Sequence, residues 1–251
     1  FAVTDVSGNL PAGGFGEDNV LISAGGLSNA TLSATQYVRN TIIGSNSATG
    51  FTDESDVVVI GSNTANGTLG VRNGDVIIGS RAALNLSLGG VGTSSNVIIG
   101  YEAATSGSLK AGVVVVGYQA ATGGVQDDCV IIGSISMPTA EGQGTTVVGS
   151  RTGTNWSSSK AASCTLIGSN INSFGSTQTF TLSNATALGA NAIAAHDNVL
   201  VLGNAAESFG PNTISIGSST VPLAPVTTQV NTSTRYLPVY INGTLHKVLL
   251  A

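Results

Sequence analysis

The stretch Val97-Ile98-Ile99-Gly100-Tyr101 is one copy of a motif that recurs along most of the chain. Each copy has three or four β-branched or aliphatic residues, a glycine, and then usually a small polar residue or a tyrosine. Neighbouring glycines are 14 to 21 residues apart in the sequence. Such a repeat is typical of a solenoid, in which each copy forms one coil stacked on the last. The eleven repeat glycines are Gly44, Gly61, Gly79, Gly100, Gly117, Gly133, Gly149, Gly168, Gly189, Gly203 and Gly217.

The repeat predicts an all-β fold, a parallel β-solenoid of about 11–12 coils. Each coil would contain a short strand, a corner at the glycine, an alanine-rich stretch such as Glu102-Ala103-Ala104, and a polar turn. Glycine fits a corner where φ is positive or where two backbones approach closely. The longer spacings mark insertions, and loops that project from a regular scaffold are where recognition usually resides.

The sequence divides into four parts. Residues 1–18 are expected to form an irregular leading segment, 19–221 the repeat array, and 222–235 a linker. Within 236–251, Asn242-Gly243 separates two apolar runs, which predicts a β-hairpin with a type I′ turn. That turn places Pro238 opposite Lys247, at a position where the missing N–H of proline is harmless on an edge strand.

Composition narrows the classes of partner. Charged residues make up 8% of the chain, far below the roughly 25% of an ordinary domain. The formal net charge is −5, and the eight Lys and Arg residues are scattered. Nucleic acids and anionic membranes attract concentrated positive charge, so we expect no nucleic-acid partner. No apolar run approaches the roughly 18 residues of a membrane span, so we expect no membrane insertion.

The sequence starts at Phe1, without a methionine or a signal-peptide pattern, which suggests an upstream portion.

The two cysteines occupy the same position of two repeats. Cys129 and Cys164 each lie four residues before a repeat glycine, and one repeat lies between them. If coils stack at the usual strand spacing, the sulfur atoms are roughly 9–10 Å apart. A disulfide needs Cα atoms within about 7 Å. Both cysteines are therefore predicted to be free, buried thiols.

Both faces of each repeat strand are apolar. The residue before the glycine is aliphatic in every repeat, and the residue two positions further back is β-branched in ten. The middle residue points to the other face. A single-chain solenoid buries one face, so we expect the other to pack on another chain; the alternative is an insertion of the same chain that covers it. We assign interchain packing to the middle residues Ile42, Val59, Ile77, Ile98, Val115, Ile131, Val147, Leu166 and Val201.

The phrase Val-Ile-Ile-Gly-Tyr-Glu-Ala-Ala at 97–104, with the copies around Gly203 and Gly217, resembles the head repeats of YadA-type trimeric autotransporter adhesins. The resemblance covers about residues 40–220 and implies a left-handed parallel β-roll, three of which pack around a threefold axis. That family's repeat is regular at 14 residues, whereas only the last two steps here keep this spacing. The closing segment 236–251 is similar to the ends of phage tail-fibre and virion-spike proteins, which favours a phage fibre over a bacterial adhesin.

The ionisable residues form no catalytic pattern in the sequence. The two histidines, His196 and His246, have no metal-ligand spacing, and no serine lies in a nucleophile elbow. We therefore expect no catalytic residue, no metal and no cofactor. Glycoside hydrolysis would need two carboxylates about 5–10 Å apart, and the candidates are Asp53, Glu54, Asp56, Asp127 and Asp128. Adjacent acids in a turn are more often solvated.

Four aromatic residues are candidates for receptor-binding loops. Trp156 and Phe174 lie in insertions, and Tyr101 and Tyr118 each follow a repeat glycine. An exposed aromatic face can stack on a sugar at low entropic cost. The alternatives are structural, because the two tyrosines could stack on each other along the array and Trp156 could anchor its own loop.

The resemblance implies a non-enzymatic homotrimeric fibre or spike on the outside of a phage virion, at the tail or capsid surface. Its partners would be other virion proteins and a glycan or protein receptor on the host surface. Two alternatives remain open at this point, a glycan-degrading tailspike enzyme and the head domain of a bacterial trimeric adhesin.

Overall fold

A computed structural model gives the structure of the chain. It describes residues 20–22, 39–49, 55–66, 73–88, 95–109, 111–123, 127–137, 143–154, 161–171, 182–206, 211, 214–216, 236–241 and 244–249. The chain divides into two compact units, Phe1–Val221 and Pro222–Ala251.

Within these residues the secondary structure consists of short strands, which we number in chain order. They are β1 (Val20–Ile22), β2 (Thr41–Ile43), β3 (Val58–Ile60), β4 (Val76–Ile78), β5 (Leu86–Leu88), β6 (Val97–Ile99), β7 (Gly107–Leu109), β8 (Val114–Val116), β9 (Val130–Ile132), β10 (Thr146–Val148), β11 (Ala161–Ala162), β12 (Thr165–Ile167), β13 (Leu182–Ser183), β14 (Thr186–Leu188), β15 (Leu200–Leu202), β16 (Ile214–Ile216), β17 (Tyr236–Ile241) and β18 (Thr244–Leu249).

The repeat strands form one parallel sheet. Its order is β1-β2-β3-β4-β6-β8-β9-β10-β12-β14-β15-β16, which amounts to twelve strands among the described residues. Pairing is in register with the sequence repeat, so that Ile77 lies opposite Ile98 and Ile98 opposite Val115. The prediction of an all-β parallel solenoid is confirmed. Two small parallel pairs, β5 with β7 and β11 with β13, lie outside this sheet in neighbouring repeats.

The second unit contains β17 and β18. They pair antiparallel, with Tyr236 opposite Leu249 and Ile241 opposite Thr244. Pro238 lies opposite Lys247.

The middle residue of each repeat strand faces the interior of its own coil. Ile77, Ile98 and Ile131 have no solvent-exposed surface, and they share one core with buried alanines from the stretch after the glycine, such as Ala103 and Ala104. The assignment of the middle residues to interchain packing is therefore wrong, because a side chain enclosed within one chain has no surface to offer another. The residues corrected are Ile42, Val59, Ile77, Ile98, Val115, Ile131, Val147, Leu166 and Val201.

The residues that flank the middle position point outwards. In β4, β6 and β8 both flanking side chains are half-buried, and in β9 and β12 the last residue is more exposed, Ile132 at 38% and Ile167 at 43%. We call this surface the outward face. Its best-described members are Thr41, Ile43, Val58, Ile60, Val76, Ile78, Val97, Ile99, Val114, Val116, Val130, Ile132, Thr146, Val148, Thr165, Ile167, Thr186, Leu188, Leu200 and Leu202.

In the main-sheet repeats from β2 to β15, the repeat glycine turns the chain at the end of the strand. Gly117 has a φ of 143°, and a methyl group on its Cα would overlap the carbonyl of Gly133 in the next coil. Its N–H donates to the carbonyl of Ile99 at 2.8 Å, which continues the sheet ladder through the corner. In other coils a side-chain hydroxyl adds a hydrogen bond between coils at this corner. Thr64 Oγ1, for example, donates to the carbonyl of Gly79 at 2.5 Å. No residue with a Cβ suits this position.

In the main-sheet repeats from β2 to β15, the position just before the strand is buried, and several of its polar side chains bind the next coil. The Asn96 amide oxygen accepts the N–H of Val113 at 2.9 Å, and a carboxylate oxygen of Asp75 accepts the N–H of Asn96 at 2.8 Å. The two cysteines occupy this position, and backbone N–H groups of the following coil hydrogen-bond to their sulfurs. Cys129 and Cys164 are buried and free, as the sequence predicts. Each thiol also donates a weak hydrogen bond to a backbone carbonyl, Cys129 Sγ to that of Asp127 at 3.5 Å and Cys164 Sγ to that of Leu182 at 3.4 Å.

The corner geometry predicts unequal costs for two glycine substitutions. Gly117→Ala combines a clash with a glycine-only backbone conformation, so we expect a loss of more than about 3 kcal/mol of unfolding free energy. Gly144→Ala is the matched control. Its φ is 63° and the nearest atom to an added methyl is Ser163 Oγ at 3.8 Å, so we expect a loss of about 1 kcal/mol. Urea unfolding followed by far-UV circular dichroism measures both, and equal midpoints would contradict the close approach.

The buried thiols should resist modification in the folded chain. Desolvation raises the pKa of both Cys129 and Cys164, so the reactive thiolate is scarce and enclosed. At about pH 8, a chromogenic disulfide reagent should react on the order of 100-fold more slowly with folded than with urea-unfolded protein. Because the chain has two free cysteines, the unfolded protein should react with two equivalents of the reagent. Rapid reaction of the folded chain would show that this position opens to solvent.

Candidate functional site

The structure describes two of the four aromatic candidates and brings them together. Tyr101 and Tyr118 stack, with ring centroids 5.7 Å apart and planes inclined by 9°. The interpretation of the two tyrosines as a ladder is therefore confirmed. They nevertheless remain 43% and 48% exposed, so the stack lies on the surface. Trp156 and Phe174 lie outside the described residues.

A ladder of backbone hydrogen bonds supports the tyrosine pair. The N–H of Gln119 donates to the carbonyl of Tyr101 at 2.9 Å, and the N–H of Ile135 donates to that of Tyr118 at 2.8 Å. On the other side, Glu102 N–H donates to the carbonyl of Ser80 at 3.1 Å. Four successive coils are thus joined at this corner, which fixes the spacing of the two rings.

A polar network lies beside the rings, at the second position after the glycine. Glu102 Oε1 pairs with Arg81 Nη1 at 2.8 Å, and Glu102 Oε2 accepts from Gln119 Nε2 at 2.7 Å. The side chain of Tyr101 contributes a further, weaker favourable interaction with this carboxylate. The hydrogen bond from Gln119, with smaller contributions from Tyr101 and Arg81, lowers the pKa of Glu102 against the opposing effect of desolvation. The carboxylate is therefore anionic at neutral pH and anchors the edge of the Tyr101 ring.

The local backbone explains why these side chains fall in line. Arg81, Glu102 and Gln119 have φ values of 58°, 52° and 49°, so each adopts the left-handed conformation. A coil that repeats the same conformation places equivalent side chains one strand spacing apart, about 4.8 Å. The contacts among these three side chains were not predicted from the sequence. Aligning the repeats on their glycines reveals it, because an arginine, a glutamate and a glutamine then fall at one position of three consecutive copies.

Two of the carboxylates considered for catalysis, Asp56 and Asp127, have structural partners. Asp56 forms a two-point ion pair with Arg39, at 2.5 Å and 2.7 Å, and the hydrogen bond from that guanidinium lowers the pKa of Asp56. Asp127 Oδ1 accepts the N–H of Ala111 in the preceding coil at 2.9 Å. A general acid needs a raised pKa, so Asp56 is unsuited to that role. Asp53 and Glu54 lie outside the described residues.

Among the described residues, no group of three or more His, Cys, Asp or Glu side chains is placed to hold a metal ion. The part of the chain described here also contains no helix with the length and apolar character of a membrane span. No known protein family and no curated protein matches this chain. The candidate surfaces are therefore the outward face of the sheet and the corner that carries the two tyrosines.

Acid should release the Tyr101 ring before it unfolds the array. The folded pKa of Glu102 is lowered, so its stabilising contribution is complete above the unfolded value of about 4.3 and is lost as pH falls through the folded pKa. We expect the near-UV circular dichroism of the tyrosine pair to stay constant from about pH 7 to pH 5 and to fall only below about pH 4.

Glu102→Gln is the matched control for this titration, because it keeps the shape and removes the ionisable group. Its tyrosine signal should show no transition in that range. The near-UV signal of the tyrosine pair is obtained by subtracting the spectrum of the Tyr101→Ser/Tyr118→Ser variant from the spectrum of each protein. A tyrosine transition near neutral pH in the unsubstituted chain would contradict the role of Glu102.

Proposed function

We propose that this chain is the β-roll portion of a homotrimeric fibre or spike on the outer surface of a phage virion, at the tail or capsid, and that it attaches the particle to a host cell. The single observation that carries the proposal is the outward face, an aliphatic strip that follows the parallel sheet from β2 to β15. The resemblance of the repeats to trimeric adhesin heads supplies the number of chains. The resemblance of 236–251 to fibre ends supplies the phage setting.

The size of the outward face supports association. Ten strands at about 4.8 Å spacing and a strip roughly 10 Å wide give on the order of 500 Å² of mostly aliphatic surface. Soluble monomers rarely expose a contiguous apolar patch larger than a few hundred Å². Transfer of this surface from water is worth about 25 cal/mol per Å², so each chain gains on the order of 10 kcal/mol before the entropy cost of association.

The threonines on this face suit a close interface between chains. Thr41, Thr146, Thr165 and Thr186 occupy the first position of their strands and are half-buried. A β-branched side chain with one hydroxyl packs as well as valine and can still bind water or a neighbouring chain. Three chains would also present three copies of every corner, so weak contacts with a host surface would add through avidity.

The native mass tests this proposal. We expect light scattering after size-exclusion chromatography to give three times the chain mass of 24.8 kDa. Ile132→Asp/Ile167→Asp should shift the mass to that of one chain while the far-UV spectrum is kept, because both side chains are exposed in the single chain. Ser150→Asp, at an exposed corner, is the control and should stay assembled.

Two outcomes would overturn this assignment. If the unsubstituted chain is monomeric, the proposed trimer is wrong. If the double variant is fully assembled, the outward face is not the interface. Adsorption of fluorescent protein to candidate host cells then tests attachment, and the monomeric variant should adsorb at least about tenfold less because avidity is lost.

A further inference from the structure

We propose that Tyr101 and Tyr118 form a saccharide-binding platform, on which an uncharged pyranose ring stacks while the Arg81–Glu102–Gln119 network hydrogen-bonds its hydroxyls. This inference rests on the proposed attachment function and names both the site and the chemical class of the receptor.

The fold itself does not require tyrosine at these two positions. The residue after the repeat glycine is serine in seven of the other nine repeats, and alanine or asparagine in the rest. Serine therefore satisfies the same backbone geometry. Stacking of one ring on the other contributes only about 0.5–1.5 kcal/mol, yet both rings keep nearly half of their surface exposed. Two adjacent aromatic residues at an otherwise small, polar position indicate a binding surface.

The faces of the stack are bordered by small side chains. The same position holds Ser80 in the coil before Tyr101 and Ser134 in the coil after Tyr118. The coil beyond each outer ring face therefore carries a serine at this position, not a third ring. The step between coils, about 4.8 Å, is close to the 5.7 Å that separates the two ring centroids. A single ring-shaped group thus fits beside Tyr101 or Tyr118 as the next member of the stack.

The surroundings favour a sugar over an apolar or charged ligand. An apolar peptide side chain needs a concave, mostly apolar pocket, whereas the borders here are Ser80, Arg81 and Glu102. The guanidinium and the carboxylate pair at 2.8 Å, so their charges largely cancel and favour neither an anion nor a cation. A pyranose ring has an apolar C–H face for the tyrosine and hydroxyls at its rim. Those hydroxyls meet donors and acceptors at the same corner.

The platform is held rigid before a ligand arrives. The Tyr101 side chain interacts favourably with Glu102, which Arg81 and Gln119 hold in turn. Backbone hydrogen bonds fix the coils beneath both rings. Binding to a surface that is already ordered avoids the cost of immobilising side chains. Glu102 is a positioning residue in this arrangement, because it acts by orienting Tyr101.

The full chain is tested for binding to four oligosaccharides. Binding of maltotriose, cellotriose, chitotriose and sialylated lactose is measured by saturation-transfer NMR, with saturation of the aromatic protons. We expect transfer to at least one neutral trisaccharide and weaker transfer to the sialylated one. Tyr101→Ser/Tyr118→Ser should weaken binding about tenfold or more. Its thermal midpoint should change little, since serine already occupies this position in most repeats.

Two further variants separate stacking from loss of structure. Tyr101→Phe/Tyr118→Phe keeps both rings and should retain most of the binding. Glu102→Ala keeps the rings but removes the anchor, and should weaken binding less than the serine variant. Absence of transfer to all four probes, or equal transfer to the unsubstituted chain and the serine variant, would overturn the platform.

Failure of the platform and failure of the proposed function give different results. A trimer that adsorbs to cells equally well with serine or tyrosine at both positions would keep the fibre and reject this site. A monomer whose sugar binding depends on the two rings would keep the site and reject the fibre.

Discussion

The close approach of backbones at the repeat glycine is the constraint on which the rest of this molecule depends. A carbonyl of the next coil occupies the space of a side chain at Gly117 and at its equivalents. Because successive described coils turn at the same tight corner, their repeat strands enter one sheet in register. The same corner carries the aligned side chains beyond it, including the serines, the two tyrosines and the ion-paired Glu102. The geometry of this corner therefore determines both the register of the sheet and the positions of the side chains at the candidate site.

Two kinds of surface follow from this construction. Along the strands, alternation gives an enclosed row of Ile, Val and Leu and an outward row that is also largely aliphatic. At the corners, the residue that follows the glycine, such as Ser150, is exposed or half-buried, so a substitution there changes the surface without disturbing the core. A stacked array can therefore acquire a recognition site by changing a few corner residues, whereas the outward face must be kept apolar along its whole length if chains associate through it.

The strand face that the sequence predicted to pack on another chain is enclosed within its own coil, and the reason for this error is physical. Alternation separates the middle residue from its two neighbours, but it does not say which set is inside when both are aliphatic. A signal was present in the threonines at the first strand position, such as Thr146 and Thr165. In contrast the middle position is polar only at Ser215 among the eleven repeats. The buried polar position before the strand, occupied by Asn96 and Asp75, obscured this signal because polar residues are expected outside.

The sequence by itself determined the repeat, the parallel in-register sheet, the corner glycines and the free, buried cysteines, because each follows from local spacing and from the geometry that one residue type permits. Tertiary structure decided which strand face is enclosed, since the direction of the turn at the glycine sets it. It also decided that Asp56 and Asp127 bind neighbouring coils, and that Arg81, Glu102 and Gln119 meet beside the two tyrosines. These contacts join residues 16 to 21 positions apart, and only the stacking of coils brings them within hydrogen-bonding distance.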